Sequence, residues 1–99
     1  MPQVLVQLLD ANANDRLAAA ISARSLGVKG DDGVTVNPLS MAACFEVGAA
    51  VADFLRSDGG VYKVHIDGPG AETTIHRFKA GEDIADTISR YVASCAGFQ

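Results

Sequence analysis

The stretch PLSMAACFEVGAAVADFL, residues 38–55, decides the fold. Apolar or small residues fill nearly all of it, interrupted only by Ser40, Glu46 and Asp53. Asn37 and Pro38 read as a helix start, with Asn at the N-cap and Pro at the first helical position, where its missing N–H is not needed. Ser57-Asp58-Gly59-Gly60 ends the helix near Arg56. Glu46 and Asp53 lie about two helical turns apart and so share one narrow polar stripe. A surface helix shows a broad polar face, whereas one apolar nearly all round is buried. The middle helix is therefore expected to be the element on which the domain packs.

Upstream, Val4 to Leu9 is a near-continuous apolar run, expected as a central strand covered on at least one face. Asp10 to Asp15 is polar, and Asn12 or Asn14 is the expected cap of a helix running to about Leu26. Leu17, Ile21 and Leu26 lie on one side of that helix, and Gly27 follows as its expected left-handed stop. GDDG at 30–33 is a turn, and Val34-Thr35-Val36 is a short β-prone run.

Downstream, Val61 to Asp67 alternates. Tyr62, Val64 and Ile66 point one way; Lys63, His65 and Asp67 point the other. Gly68-Pro69-Gly70-Ala71 turns the chain, and Glu72 to Lys79 returns as the second arm of a hairpin. The register that aligns the apolar residues sets Asp67 opposite Glu72, Val64 opposite Ile75 and Lys63 opposite His76. A slip of one residue would exchange the faces. Gly81 to Ala96 reads as a last helix with Glu82 and Asp83 in its first turn. Its apolar stripe is Ile84, Ile88, Tyr91, Val92 and Cys95.

The expected fold is one α+β domain over residues 1–99, a two-layer sandwich of ferredoxin-like type. Its order is β-α-β-α-β-β-α: a mixed four-stranded sheet with three helices mainly on one face and a right-handed first crossover. A chain of 99 residues is long enough for one core without staples.

Composition narrows the function. The net charge is −4 and the eight Lys and Arg residues form no run, so nucleic acid is not an expected partner. Cys44 and Cys95 fall inside expected helices and read as buried free thiols of a cytoplasmic protein, not a secreted disulfide framework. The N-terminal MPQVLVQLLD lacks a basic region and a cleavage site, so no signal peptide is expected. The apolar run Met41 to Ala52 is broken by Glu46 and is too short for a membrane span.

Chemistry-bearing constellations are few. His65 and His76 face each other diagonally across the hairpin, and with Asp67, or with Glu72 in its place, they make the one candidate metal set. Two solvated histidines on a polar strand face are the plainer account. Cys44 sits well inside its helix among Ala, Met and Phe, where burial suppresses a thiolate, so it is core and not a nucleophile. GDDG and DGPG match no phosphate, dinucleotide or EF-hand pattern, and no cofactor is expected.

Three segments resemble the effector-associated constant component domains of bacterial conflict systems. They are ISARSLGVKG (21–30), the small-residue-rich middle helix, and VYKVHIDGPGAETTIHRF (61–78) followed by EDIADTISRYV (82–92). The family's charged segment after its first helix has no counterpart. The resemblance implies a non-enzymatic adaptor with no catalytic residues.

The expected function is accordingly a non-enzymatic protein-interaction module, adaptor or inhibitor, acting by apolar burial against another protein or a second copy. Glu46, Ala49, Ala50 and Asp53 are the expected contact residues. The rival is a small enzyme or a metal- or ligand-binding domain using the polar hairpin face.

Overall fold

A computed structural model describes residues 3–58, 63–75 and 84–97. Among them five strands and three helices follow in the order β1 (Val4–Leu8), α1 (Ala11–Ala23), β2 (Val28–Lys29), β3 (Val34–Val36), α2 (Met41–Asp58), β4 (Val64–Asp67), β5 (Glu72–Ile75) and α3 (Ile84–Ala96). The strands make one sheet in the order β2-β3-β1-β4-β5. The fold is α+β, but the sheet is not mixed and not four-stranded: every neighbouring pair is antiparallel. The reason is interleaving. β1 and β2 run parallel to each other with β3 inserted between them, and β3 and β4 do the same around β1.

β1 is central because its sequence can satisfy both neighbours. Val4, Val6 and Leu8 are buried while Leu5 and Gln7 are half-buried. The same alternation in β3 and β4 buries Val34, Val36, Val64 and Ile66. The helices therefore cover one face of the sheet, and α1 and α3 both contact it. The opposite face carries Leu5, Gln7, Val28, Thr35, His65, Asp67, Glu72 and Thr74, positions fixed by the register. The hairpin register has Asp67 opposite Glu72 and Val64 opposite Ile75, as the apolar alignment requires. The expected Lys63–His76 pair, the inward Tyr62 and the acidic first turn at Glu82 and Asp83 lie outside the described residues.

Several boundaries differ from expectation for local reasons. The cap of α1 is Asp10, whose carboxylate accepts from the Ala13 N–H at 2.9 Å. Asn14 is used elsewhere: its Oδ1 accepts from Leu8 N–H at 3.0 Å and its Nδ2 donates to the Asp32 carbonyl at 2.9 Å. It ties the end of β1 to the β2–β3 turn. The helix stops at Ala23 with Ser25, not Gly27, in the left-handed conformation (φ 59°). Leu26 N–H donates to Ile21 C=O and Ser25 N–H to Ser22 C=O, the Schellman pattern. Gly27 serves close approach instead, since a Cβ there would sit 2.8 Å from Val34 Cγ2 and 2.9 Å from the Thr35 carbonyl. α2 begins at Met41, not at Pro38, because Ser40 is the cap: its Oγ accepts from Ala43 N–H at 3.1 Å. The helix then runs on past Leu55 to Asp58.

α2 lies against both α1 and α3. Its buried residues Cys44, Val47, Gly48, Ala50, Val51 and Ala52 span more than half its circumference, counted at about 100° per residue. At the α2–α3 crossing, Gly48 faces Ser89. A Cβ on residue 48 would overlap Ser89 Oγ and lie 2.7 Å from Ser89 N and 2.8 Å from the Ala85 carbonyl. Ser89 is fully buried, and its hydroxyl donates back to Ala85 C=O at 2.6 Å. Tyr91, expected in the buried stripe of α3, is instead 41% exposed; Ser89, Ala93 and Ala96 take the buried positions. Small residues there let the helices approach, and a tyrosine would hold them apart.

Two stability measurements check this packing. Gly48→Ala is expected to destabilise by about 2 kcal/mol in urea unfolding, because overlap at a well-packed contact outweighs the gain in helix propensity. Ser25→Gly is expected to stabilise by about 0.5–1 kcal/mol, because it removes left-handed strain from a side-chain-bearing residue.

Candidate functional site

Two surfaces remain after the core is formed, one on α2 and one on the open face of the sheet. On α2, Met41, Ala42, Phe45, Glu46, Ala49 and Asp53 are exposed. Leu39, just before the helix, is 67% exposed, Met41 44% and Phe45 41%. Met41, Phe45 and Ala49 recur every four residues and so form one ridge, with Ala42 beside it and Glu46 and Asp53 along one margin. Three of the four expected contact residues, Glu46, Ala49 and Asp53, lie on this surface. Ala50 does not: it is buried, facing a groove of about 220 Å³ also lined by Ala20, Arg24 and Phe54. Asp53 is held by Arg24, the residue that follows α1, at 3.1 Å and by Arg56 at 3.5 Å. The sequence reading missed Leu39, Met41 and Phe45. Met41 and Phe45 are exposed because they lie on the side of α2 away from the stripe of Val47, Ala50 and Val51 that packs on the core.

On the open face, cross-strand pairing brings His65, Asp67 and Glu72 together. One donor atom from each lies within 4.8 Å of the others, and His65 Nε2 is 3.9 Å from Glu72 Oε1. His65 Nδ1 is 2.8 Å from Thr74 Oγ1. His76, the second expected imidazole, lies outside the described residues; the third donor of the cluster is Glu72. Beside it is a shallow cavity of about 370 Å³ lined by Leu5, Thr35, Gly33, Asp31, Asp32 and Asp67, among others. Gln7 Nε2 and Asn14 Nδ2 both donate to the Asp32 carbonyl, at 2.6 Å and 2.9 Å, and so fix that rim. Among the described residues three carboxylates line this cavity and no Lys or Arg does, a field that repels phosphate.

Cys44 and Cys95 are free and buried. Burial pushes both thiols up from the ordinary value of 9.0; for Cys95 the negative charges of Asp67 and Glu72 add to it. The Cys95 thiol also donates to the Ile66 carbonyl at 3.6 Å. Neither has the electropositive setting that makes a thiolate nucleophile. Among the described residues no helix is long and apolar enough to cross a membrane.

No protein-family model matches the chain, and no curated protein or solved structure shows significant similarity to it.

The thiols give a direct test of the buried core. Thiol-reactive dye at neutral pH is expected to label the native protein slowly and both cysteines at once in urea. A raised native thiol pKa also means stability that is present below the unfolded thiol range and lost as pH rises through it, so urea midpoints are expected to fall in alkali above about pH 9.

Proposed function

We propose that this protein is a non-enzymatic protein-interaction module that self-associates through the exposed ridge of α2. The observation that carries the reading is the exposure of Leu39, Met41 and Phe45 close together at the start of α2; the other large apolar residues in water among the described residues, Leu9, Val28 and Tyr91, are scattered over other parts of the fold. Apolar side chains grouped on one surface and bordered by charge mark an interaction site. The occupant is a second copy because the ridge contains both halves of a fit. Met41 and Phe45 project, and Ala42 and Ala49 leave room for a projecting side chain. A two-fold interface needs that self-complementarity within one patch. Glu46 and Asp53 would then stay at the wet margin, where polar residues belong.

The resemblance to effector-associated constant component domains supports the same reading, since it implies an adaptor. On that view the chain serves a bacterial or phage conflict system in the cytoplasm, as adaptor or inhibitor, and its antiparallel sheet with the helices on one face is a scaffold for the α2 surface. An enzymatic role draws no support from the cysteines, which are buried as neutral thiols.

Sedimentation equilibrium from low to high micromolar concentration tests the proposal. Wild type is expected to show a reversible monomer–dimer equilibrium. Phe45→Glu is expected to weaken it by about 2 kcal/mol, roughly thirtyfold in Kd, while leaving thermal stability unchanged. A wild-type protein that stays monomeric throughout, or a Phe45→Glu variant that dimerises equally well, would overturn it.

A further inference from the structure

We propose that His65, Asp67 and Glu72 form a binding site for a divalent transition-metal ion on the open face of the sheet. Three observations lead there. First, the register sets Asp67 directly opposite Glu72. Like charges facing each other across two strands destabilise a sheet unless something neutralises them. Among the described residues no Lys or Arg pairs with either carboxylate. A cation between them removes the repulsion.

Second, His65 is oriented for ligation. Its side chain is only 20% exposed, and its Nδ1 is engaged by the Thr74 hydroxyl at 2.8 Å. In the tautomer whose Nδ1–H donates to Thr74, the lone pair lies on Nε2, the nitrogen on the Glu72 side. A hydrogen bond at the non-ligating nitrogen is the usual support for a metal-bound histidine, because it fixes both tautomer and ring plane.

Third, the distances suit closure on an ion. Donors bound at about 2.1 Å to one metal stand roughly 3.0–3.4 Å from each other. The unliganded cluster spans up to 4.8 Å. Glu72 is the adjustable member: its side chain is 64% exposed and free to swing inward. One imidazole with two carboxylates suits first-row ions such as Zn²⁺ or Mn²⁺ more than Mg²⁺ or Ca²⁺, which take all-oxygen sets. Three protein donors leave coordination positions open to water, beside the cavity that Asp67 also lines. This site is separate from the α2 ridge, and each can fail without the other.

Titration of chelator-treated protein with ZnCl₂, followed by calorimetry, tests the site. One ion per chain is expected, with a higher melting temperature in its presence because only the folded state assembles the donors. His65→Ala is expected to reduce affinity at least thirtyfold, and Thr74→Val about tenfold, as for other supporting hydrogen bonds. Phe45→Glu is expected to bind as wild type does. Amide NMR with substoichiometric Mn²⁺ locates the ion without any substitution: broadening should centre on residues 65, 67, 72 and 74. Absence of binding, full binding by His65→Ala, or broadening centred on the Asp31–Asp32 turn would overturn the proposal.

Discussion

The contact between Gly48 and Ser89 is the constraint on which the helical layer depends. α2 is apolar over most of its surface and needs cover on two sides. α1 provides one and α3 the other, but α3 reaches α2 closely only where neither helix carries a bulky side chain. Gly48 has none, and Ser89 turns its hydroxyl back onto its own helix at Ala85. That arrangement satisfies a buried polar group inside the contact, and the same hydroxyl lies 3.5 Å from the Phe45 carbonyl of α2. With α3 seated this way, Ile88, Val92 and Cys95 complete the core over β1, β4 and β5.

Much of this architecture was legible from hydrophobic periodicity. The strand alternation in residues 64–67, with the loop length at Gly68–Ala71, fixed the hairpin register correctly, because a shift of one would have put Val64 and Ile66 in water. The apolar band of residues 41–52 marked the helix but not its burial: Cys44, Val47, Gly48, Ala50, Val51 and Ala52 are buried, whereas Met41, Ala42, Phe45 and Ala49 face water. The exact start of the helix was not legible, since Asn37-Pro38 and Ser40 are both good start signals, and it is Ser40 that caps the helix. β2 was missed for a different reason: two residues are too few for a period, and the strand exists only because β3 offers an edge. The antiparallel sheet follows from that insertion. As for the sites, the sequence placed His65 and Asp67 on one face, but whether Glu72 or His76 stands beside them depends on diagonal geometry that spacing alone does not determine.

The two surfaces have opposite chemical character. The α2 ridge is apolar with a charged margin, while the open sheet face is polar and acidic around its cavity. Yet they are mechanically related. The hairpin loop is tied to the end of α3 by Gly70 N–H donating to the Cys95 carbonyl at 2.8 Å, and α3 is the helix that packs on α2. The same loop therefore bounds the His65–Asp67–Glu72 cluster and anchors the helix behind the ridge.

The place of α3 in the chain has a consequence for biosynthesis. Domains fold as their segments emerge, and exposed apolar surface is where nascent chains aggregate or recruit chaperones. Here α2 is made well before the helix that covers it. Until Ile84–Ala96 has left the ribosome, α2 lacks the helix it packs against most extensively. During that interval the growing polypeptide carries a sticky, helix-forming segment that only α1 can cover, so slow synthesis of the last segment lengthens the time in which that surface can aggregate or meet a holdase.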